Sequence, residues 1–363
     1  MIILKNQSKE RSRPRCSFRW LLVSFAALAG LCQIILLNYY FASGKSNTTL
    51  HNSNNKVEIE LTGKNDIVVP SPNNVHKKTD AIVYLAQFGN HSSYGAQLDA
   101  GHKVITGISK LNKSLELLYV NYVYQFPTDV IIFYDHLSPP DADTMANLRR
   151  NRPHLQFRSL DEKWWSLPYE LQPWQLVLWS RPAFSVGYRL MMRWFAVLIW
   201  HYLDAENYTH CMRLDDDSYI LSKIEYNLFD YMRDNKKRYA FRNPVLESDD
   251  KFDLLMDEYL AKYPESTSPE LIELYKRERG VGFYNNFFMA DVSFFLSPPA
   301  SSLLRIIDES KLIFTRRTGD LVIQSAVVRL FLRPDEIHWF RDFTYEHMTL
   351  CRKDKCGYLV RKG

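Results

Sequence analysis

The chain lacks an excess of charge once its first 19 residues are set aside. Six of its 46 basic residues and one of its 41 acidic residues lie in that stretch, so the remainder is electrically neutral. This excludes the basic footprint of a nucleic-acid-binding protein. The chain also lacks internal repeats, and its content of 46% apolar and 14% aromatic residues excludes general disorder and suffices for a large core.

Cysteine is scarce, and only Cys211, Cys351 and Cys356 follow residue 41. Three thiols cannot all pair within one chain, so the count predicts one disulfide and one free or intermolecular thiol. The sequence leaves two pairings open, a Cys211–Cys351 bridge and a local Cys351–Cys356 loop.

No charged residue interrupts the apolar run at residues 20–41, WLLVSFAALAGLCQIILLNYYF. Its length predicts a helix that crosses a bilayer, and the basic residues 1–19 predict a cytosolic tail before it. No clear small-x-small cleavage site follows, which favours an uncleaved type II anchor over a signal peptide. Residues 42–79 have the polar composition of a luminal stem. Four N-glycosylation sequons after the run agree with this orientation.

Short apolar runs alternate with helical periodicity from residue 80 onward. This order predicts an α/β domain over 80–363, with a parallel sheet that has helices on both faces. Ligands of such sheets collect at the carboxyl ends of the strands. The predicted strands are 81–86, 129–134, 155–160 and 209–214, and the predicted helices are 107–123, 142–150 and 188–202.

Three consecutive carboxylates, Asp215, Asp216 and Asp217, lie between apolar segments. Negative charge in such a place is unfavourable unless a cation shares it. Mn²⁺ and Mg²⁺ prefer carboxylate oxygens and keep positions free for a diphosphate. The triplet therefore indicates the Asp-x-Asp element of a transferase that uses a nucleotide sugar, and Arg213 just before it is a candidate phosphate contact.

Four other features are candidates for the same site. Tyr188 and Arg193 on the preceding helix offer a hydroxyl and a guanidinium for phosphate or sugar. Asp320, after Gly319, presents a carboxylate or caps the helix that follows. His347 offers an imidazole to a metal. The segment Asn285–Asp291 brings amides and the Asp291 carboxylate to the start of an apolar strand.

Taken together, these residues resemble the fungal Golgi α-1,2-mannosyltransferases. The resemblance covers most of residues 80–355 and is strongest from Tyr188 onward. It rests on the order Tyr188, Arg193-Trp194-Phe195, Arg213-Leu214-Asp215-Asp216-Asp217, Asn286-Phe287, Asp291, Gly319-Asp320, Ile337-His338-Trp339-Phe340 and Tyr345-Glu346-His347.

The resemblance implies a type II Golgi membrane enzyme with a GT-A fold, a mixed and mainly parallel sheet flanked by helices. It implies a GDP-mannose donor, Mn²⁺, a glycan acceptor on protein or lipid, and α-1,2 transfer with retention. Separately from the resemblance, a homodimer is a candidate partner state. His347 and Asp217 would bind the metal, and Asp217 with Arg193 and Arg213 would hold the donor. Tyr188 and Asp320 would line the donor and acceptor pocket.

Two residues depart from the family pattern. Asp215 stands where the family has the Glu of a Glu-Pro-Asp element. Phe288 stands where the family carries a Glu that has been proposed as the nucleophile. Three alternatives follow: front-face displacement, substitution by Asp291 or Asp320, or loss of activity. The chain is thus expected to be a mannosyltransferase, with two alternatives: a transferase that uses another nucleotide sugar, or a silent Golgi glycan-binding protein.

Overall fold

The computed structural model describes residues 79–88, 97–98, 104–105, 107–168, 170–171, 186–347, 351–352 and 355–356. None of the helices within these ranges is long and apolar enough to span a bilayer. The predicted tail, the anchor at 20–41 and nearly all of the stem lie outside the described residues, so these three segments stay predictions.

The strands follow the apolar runs of the sequence. In chain order they are β1 (Asp80–Leu85), β2 (Gln97–Leu98), β3 (Val104–Ile105), β4 (Asp129–Asp135), β5 (Leu155–Leu160), β6 (His210–Leu214), β7 (Ser218–Ile220), β8 (Tyr239–Phe241), β9 (Pro244–Leu246), β10 (Val281–Phe283), β11 (Phe287–Asp291), β12 (Ile337–Trp339), β13 (Tyr345–His347), β14 (Cys351–Arg352) and β15 (Lys355–Cys356).

The helices also follow the predicted periodicity. In chain order they are α1 (Gly107–Leu118), α2 (Ala142–Arg149), α3 (Val186–Arg193), α4 (Ile199–Ala205), α5 (Leu228–Asp234), α6 (Asp250–Lys262), α7 (Pro269–Arg277), α8 (Val292–Leu296), α9 (Pro298–Ser310), α10 (Leu312–Thr315) and α11 (Asp320–Phe331). A π-helical turn, Tyr119–Val123, extends α1, and another, Trp194–Leu198, joins α3 to α4. Single 3₁₀ turns occupy Pro264–Ser266 and Pro334–Glu336.

Seven strands form the main sheet in the order β12-β8-β11-β6-β1-β4-β5. Strands β6, β1, β4 and β5 are mutually parallel, and β12 is parallel to β8. Strand β11 is antiparallel to both of its neighbours, β6 and β8. The sheet is therefore mixed and mainly parallel, as the resemblance predicted, and not parallel throughout, as the apolar runs alone suggested.

Alternate residues of each central strand pack into two separate cores. In β1, Ala81 and Val83 belong to one core and Ile82 and Tyr84 to the other, and all four are fully buried. Such strands are apolar on both faces because helices cover both faces of the sheet. One core contains residues of helices α3, α4 and α6 to α11, and the other contains residues of α1, α2 and α5.

The structure decides between the two cysteine pairings. Cys211 in β6 is a free thiol and is fully buried, so the Cys211–Cys351 bridge is excluded. In the β14–β15 ladder, the backbone of Cys351 lies opposite that of Cys356. The local Cys351–Cys356 loop therefore stays a prediction.

Candidate functional site: an acidic cleft at the strand ends

A cleft of about 420 Å³ opens at the carboxyl ends of β1 and β6, beside the start of β11. The sheet positions it directly, because Leu85 ends β1 and the carboxylate triplet follows β6. Candidate residues from distant parts of the chain meet there: Tyr188, Arg213, Asp215, Asp217, Asp320 and His347.

The triplet forms a tight turn between β6 and β7. The backbone N–H of Ser218 donates to the carbonyl of Asp215 at 3.0 Å. The Ser218 hydroxyl donates to the carbonyl of Asn286 at 3.0 Å, and the N–H of Asp215 donates to the same carbonyl at 3.2 Å. These bonds tie the turn to the start of β11, so the carboxylates are held at the floor of the cleft.

Strand pairing brings His347 to the triplet. Strands β7 and β13 are antiparallel, and their register sets His347 opposite Ser218, the residue after Asp217. His347 Nε2 consequently lies 2.9 Å from Asp217 Oδ1 and 3.7 Å from Asp215 Oδ2. The other ring nitrogen, Nδ1, is 3.2 Å from the hydroxyl of Tyr284, which fixes the orientation of the ring.

The two carboxylates determine the charge of His347. Burial lowers the pKa of this imidazole, but the hydrogen bonds to Asp215 and Asp217 outweigh burial and raise the pKa to about 9. His347 is therefore a cation at neutral pH while no metal is bound. Asp216 differs: burial first, and then the charges of Asp217 and Asp215, raise its pKa to about 7.

Arg213 links the triplet to Asp320. Its guanidinium lies 3.6 Å above the ring of Phe195, and Nη1 is 2.5 Å from Asp320 Oδ2. Nη2 is 2.9 Å from Asp215 Oδ1. Only 3% of Arg213 and 6% of Asp320 is exposed, so this is a buried ion pair. A planar fork of donors suits this bridge between two carboxylates.

Asp320 does not cap the helix that it begins. Gly319 is the N-cap of α11, and no side-chain cap bond forms there. The carboxylate of Asp320 instead faces the cleft and Arg213. Tyr188 lies nearby, and Arg317 Nη2 donates to its hydroxyl at 3.5 Å. Arg317 has a left-handed backbone with φ of 66°, a strained conformation that is common at functional sites.

Two predicted site residues do not reach the cleft, and both expectations are corrected here. Arg193 forms an ion pair with Asp308 of α9 at 2.8 Å. Asp291 lies at the far end of β11, caps α8 through the N–H of Ser293 and pairs with Arg238 at 2.9 Å. Because β11 is antiparallel to β6, the start of β11 lies at the cleft and its end at the opposite edge of the sheet.

Phe288 lies in the core and not in the wall of the cleft. Its side chain is fully buried, and its ring is stacked on that of Tyr239 at a centroid distance of 5.8 Å. In the β11–β6 ladder it lies opposite Arg213. Phe288 therefore stabilises the core by packing, and it supplies no reactive group to the cleft.

The cleft contains three further charged residues that the sequence analysis did not select. Lys110 of α1 has its Nζ 3.6 Å from Asp217 Oδ2. Glu247, just after β9, and Arg317, just before α11, line the opposite wall. Their spacing along the chain forms no motif, and only the fold brings them together.

His347 and Asp217 are placed so that they could bind a divalent metal at one corner of the cleft. Two cis ligands of an octahedral ion with bonds of about 2.1 Å are separated by about 3 Å, and His347 Nε2 and Asp217 Oδ1 are 2.9 Å apart. Among the described residues, no three His, Cys, Asp or Glu side chains could enclose an ion by themselves. Most of the metal's coordination positions would therefore be filled by oxygens of the bound substrate and by water, as in sites that bind substrate phosphates.

A family model described as glycolipid 2-alpha-mannosyltransferase matches residues 47–360. Glycolipid 2-alpha-mannosyltransferase 1 of Candida albicans is 28% identical over 182 residues, which are 47% of this chain and 42% of that protein. The α-1,2-mannosyltransferase KTR1 of Saccharomyces cerevisiae is 27% identical over 173 residues, 45% of this chain and 44% of that protein. The chain therefore spans less than half the length of the curated relatives that it matches.

Two solved structures share the fold. The Mn/GDP form of core-mannan synthase A from Aspergillus fumigatus superposes with a TM-score of 0.65 at 16% identity, over 88% of each chain. The mannosyltransferase Ktr4p from S. cerevisiae, in complex with GDP, superposes with a TM-score of 0.62 at 18% identity, over 75% of this chain and 71% of that one. At these identities the likeness establishes the architecture.

Proposed function

Because the chain belongs to the glycolipid 2-alpha-mannosyltransferase family, we propose that it transfers mannose from GDP-mannose to a mannose-containing glycan, with retention and in α-1,2 linkage. The observation that carries the proposal is the cleft in which Asp217 and His347 lie 2.9 Å apart, with Tyr188 and Asp320 in the adjoining wall. Distant parts of the chain meet there and bring together a carboxylate and an imidazole that can bind a metal carrying a diphosphate.

His347 and Asp217 would hold Mn²⁺ in this proposal. The ion, when bound, supplies Lewis-acid stabilisation of the charge that develops on the departing diphosphate. Arg213 fixes Asp215 and Asp320 in place, so neither carboxylate can turn away from the cleft. Burial, and next the charge of Asp320, raise the pKa of Tyr188, whose hydroxyl stays neutral and can donate to a sugar oxygen.

Front-face displacement is the route to retention that agrees best with this cleft. Phe288 cannot attack the sugar, and Asp291 lies at the opposite ends of the strands. Asp320 lies in the cleft but is held in a buried ion pair with Arg213. In the proposed reaction the bond between the anomeric carbon and the diphosphate breaks, and its electron pair stays on the phosphate oxygen. The acceptor oxygen bonds to the same face of the sugar, and its proton passes to the departing diphosphate.

A transfer assay with the full-length chain tests the proposal. The reaction would contain GDP-mannose, Mn²⁺ and an α-mannoside acceptor, and the product linkage would be read by NMR. We expect an α-1,2-linked product that requires Mn²⁺. The absence of transfer and of hydrolysis with every nucleotide sugar tested would refute the enzymatic proposal.

Metal binding should release a proton from His347. The pKa of about 9 means that the metal-free imidazole is protonated at neutral pH, and a metal binds only the neutral ring. Above the pKa of Asp216, about 7, the apparent Mn²⁺ affinity should therefore rise roughly tenfold per pH unit up to about pH 9 and then level off. Calorimetry at pH 8 with GDP present, in buffers with different ionisation enthalpies, would measure about one proton released. A value near zero would contradict the assignment of His347 as a ligand.

Glu247 is expected to contact the acceptor. Glu247 lies close to Gly319, at the start of α11 and beside Asp320. If Gly319 carried a β-carbon, that atom would be only 3.0 Å from Glu247 Oε1. Burial raises the pKa of Glu247. The change Glu247→Gln should raise the KM for the acceptor roughly tenfold or more, as expected for a lost charged hydrogen bond, and leave the KM for GDP-mannose unchanged. The exposed Glu258→Gln is the matched control, and equal effects on both substrates would contradict this assignment.

The rest of the chain completes the proposal. We propose a cytosolic tail at 1–19, an anchor at 20–41, a stem at 42–79 and a catalytic domain at 80–363 in the Golgi lumen, with dimerisation possible through the anchor and stem. The lack of a carboxylate at position 288, where the family pattern has a Glu, favours one second candidate, a silent glycan-binding protein. A wild-type chain that binds an α-mannoside but neither transfers nor hydrolyses the sugar of GDP-mannose would indicate the silent protein.

A further inference from the structure

Lys110 is a buried lysine at the edge of the cleft. It lies in the first turns of α1, and only 4% of the residue is exposed. A buried ammonium is unfavourable unless it is paired and hydrogen-bonded. Its nearest carboxylate oxygen, Asp217 Oδ2, lies at 3.6 Å, which is too long for a hydrogen bond. Within the described residues no acceptor lies within hydrogen-bond distance of Nζ.

Asp217 is not available to Lys110 alone. Its other oxygen, Oδ1, lies 2.9 Å from His347 Nε2, at the proposed metal position, so this carboxylate would be shared with the ion. The neighbouring carboxylate of Asp216 also interacts with Lys110, so the acidic triplet balances the charge of the lysine. Neither carboxylate accepts a hydrogen bond from the Lys110 ammonium, so its N–H groups are within reach of a diphosphate bound to a metal at Asp217.

The helix that carries Lys110 favours the same ligand. Helix α1 begins at Gly107, which lines the cleft together with Lys110. The free N–H groups and the dipole of a helix N-terminus attract anions, phosphate above all. A flexible lysine with three donors beside such a terminus suits a diphosphate, whose oxygens accept from several directions.

We propose that Lys110 binds the diphosphate of the nucleotide donor, as a second cation beside the metal. This inference rests on the proposed function, since that function supplies the diphosphate. It assigns to α1 a direct part in holding the donor.

Binding of GDP and of guanosine to the full-length chain tests the inference. In Lys110→Met, GDP should bind roughly 10- to 100-fold more weakly, as expected for a lost charge-assisted bond, with Mn²⁺ and in EDTA alike. Guanosine should bind as it does to the wild type. Lys110→Arg, which keeps the charge, should recover most of the GDP affinity. Lys113→Met, exposed one turn later on α1, is the control.

The outcomes separate this inference from the proposed function. Unchanged GDP affinity in Lys110→Met, or an equal loss for GDP and guanosine, overturns the role of Lys110 and leaves the function standing. A wild-type chain that binds no GDP overturns both. If Lys110→Met does not fold, crystals of the wild type with GDP decide: Nζ within hydrogen-bond distance of a phosphate oxygen supports the inference, and Nζ turned away from the phosphates overturns it.

Discussion

Replacing Asp217 with Asn should lower Mn²⁺-dependent transfer roughly 1,000-fold, because it removes a charged metal ligand whose contribution to the transition state is several kcal/mol. Asp217 is 3% exposed and lies 2.9 Å from His347 Nε2, so water cannot easily replace it. The amide keeps the shape of the side chain, which limits the effect on folding. Initial rates at saturating donor, over a Mn²⁺ titration, measure the change.

Asp291→Asn is the matched control for this experiment. Asp291 is a partly buried aspartate at the end of a strand. It lies at the opposite ends of the strands from the cleft and pairs with Arg238. Its replacement should leave the Mn²⁺ dependence of transfer unchanged. An Asp217→Asn protein with a rate within tenfold of the wild type would show that the metal binds elsewhere.

The change Arg213→Leu should reduce the free energy of unfolding by about 3–5 kcal/mol, the usual cost of removing one partner from a buried ion pair. Arg213 bridges Asp215 and Asp320, and its loss leaves the buried Asp320 carboxylate uncompensated. Activity should fall as well, since Asp320 would no longer be held at the cleft. Equilibrium urea unfolding, together with the transfer assay, measures both effects.

Two further variants serve as comparisons for Arg213→Leu. Arg213→Lys keeps the charge but cannot present two parallel donors, so its loss of stability should be smaller. Arg305→Leu removes an exposed pair with Glu309 and should cost no more than about 1 kcal/mol. If Arg213→Leu destabilised the protein no more than Arg305→Leu does, the bridge would not be what holds the two carboxylates.

Local sequence patterns predicted the elements of the fold well, because strands such as β1 and β4 are apolar on both faces and carry their signal within a few residues. The direction of β11 was not predictable in this way. The apolar run of β11, Phe287 to Ala290, gives no sign of the direction of the strand, and the pairing of β11 with β6 and β8 depends on the connections around it.

The same limit explains the two misplaced site residues. Tyr188, Met191 and Phe195 share the helix face that lines the cleft, whereas Arg193 is rotated by roughly 200° from Met191. Asp291 lies four residues beyond the start of β11, a distance of about 14 Å at the usual rise per residue. A motif gives the order of residues along the chain, but helix phase and strand direction decide which side chains meet.

Lys110, Glu247 and Arg317 were missed for a related reason. Each is a single charged residue in an ordinary polar segment, and its meaning comes from partners more than fifty residues away in the sequence. Their place in the cleft is what identifies them, and that place cannot be read from a single sequence. Asp217 and His347 were found because a triplet of carboxylates and a family resemblance both pointed to them.

Anomalous scattering from Mn²⁺ in crystals grown with GDP tests the central claim most directly. The account predicts one strong peak between His347 Nε2 and the Asp217 carboxylate, about 2.1 Å from each, with the diphosphate of GDP completing the shell. A manganese peak elsewhere, or GDP bound outside the cleft formed by Tyr188, Arg213, Asp320 and His347, would contradict it.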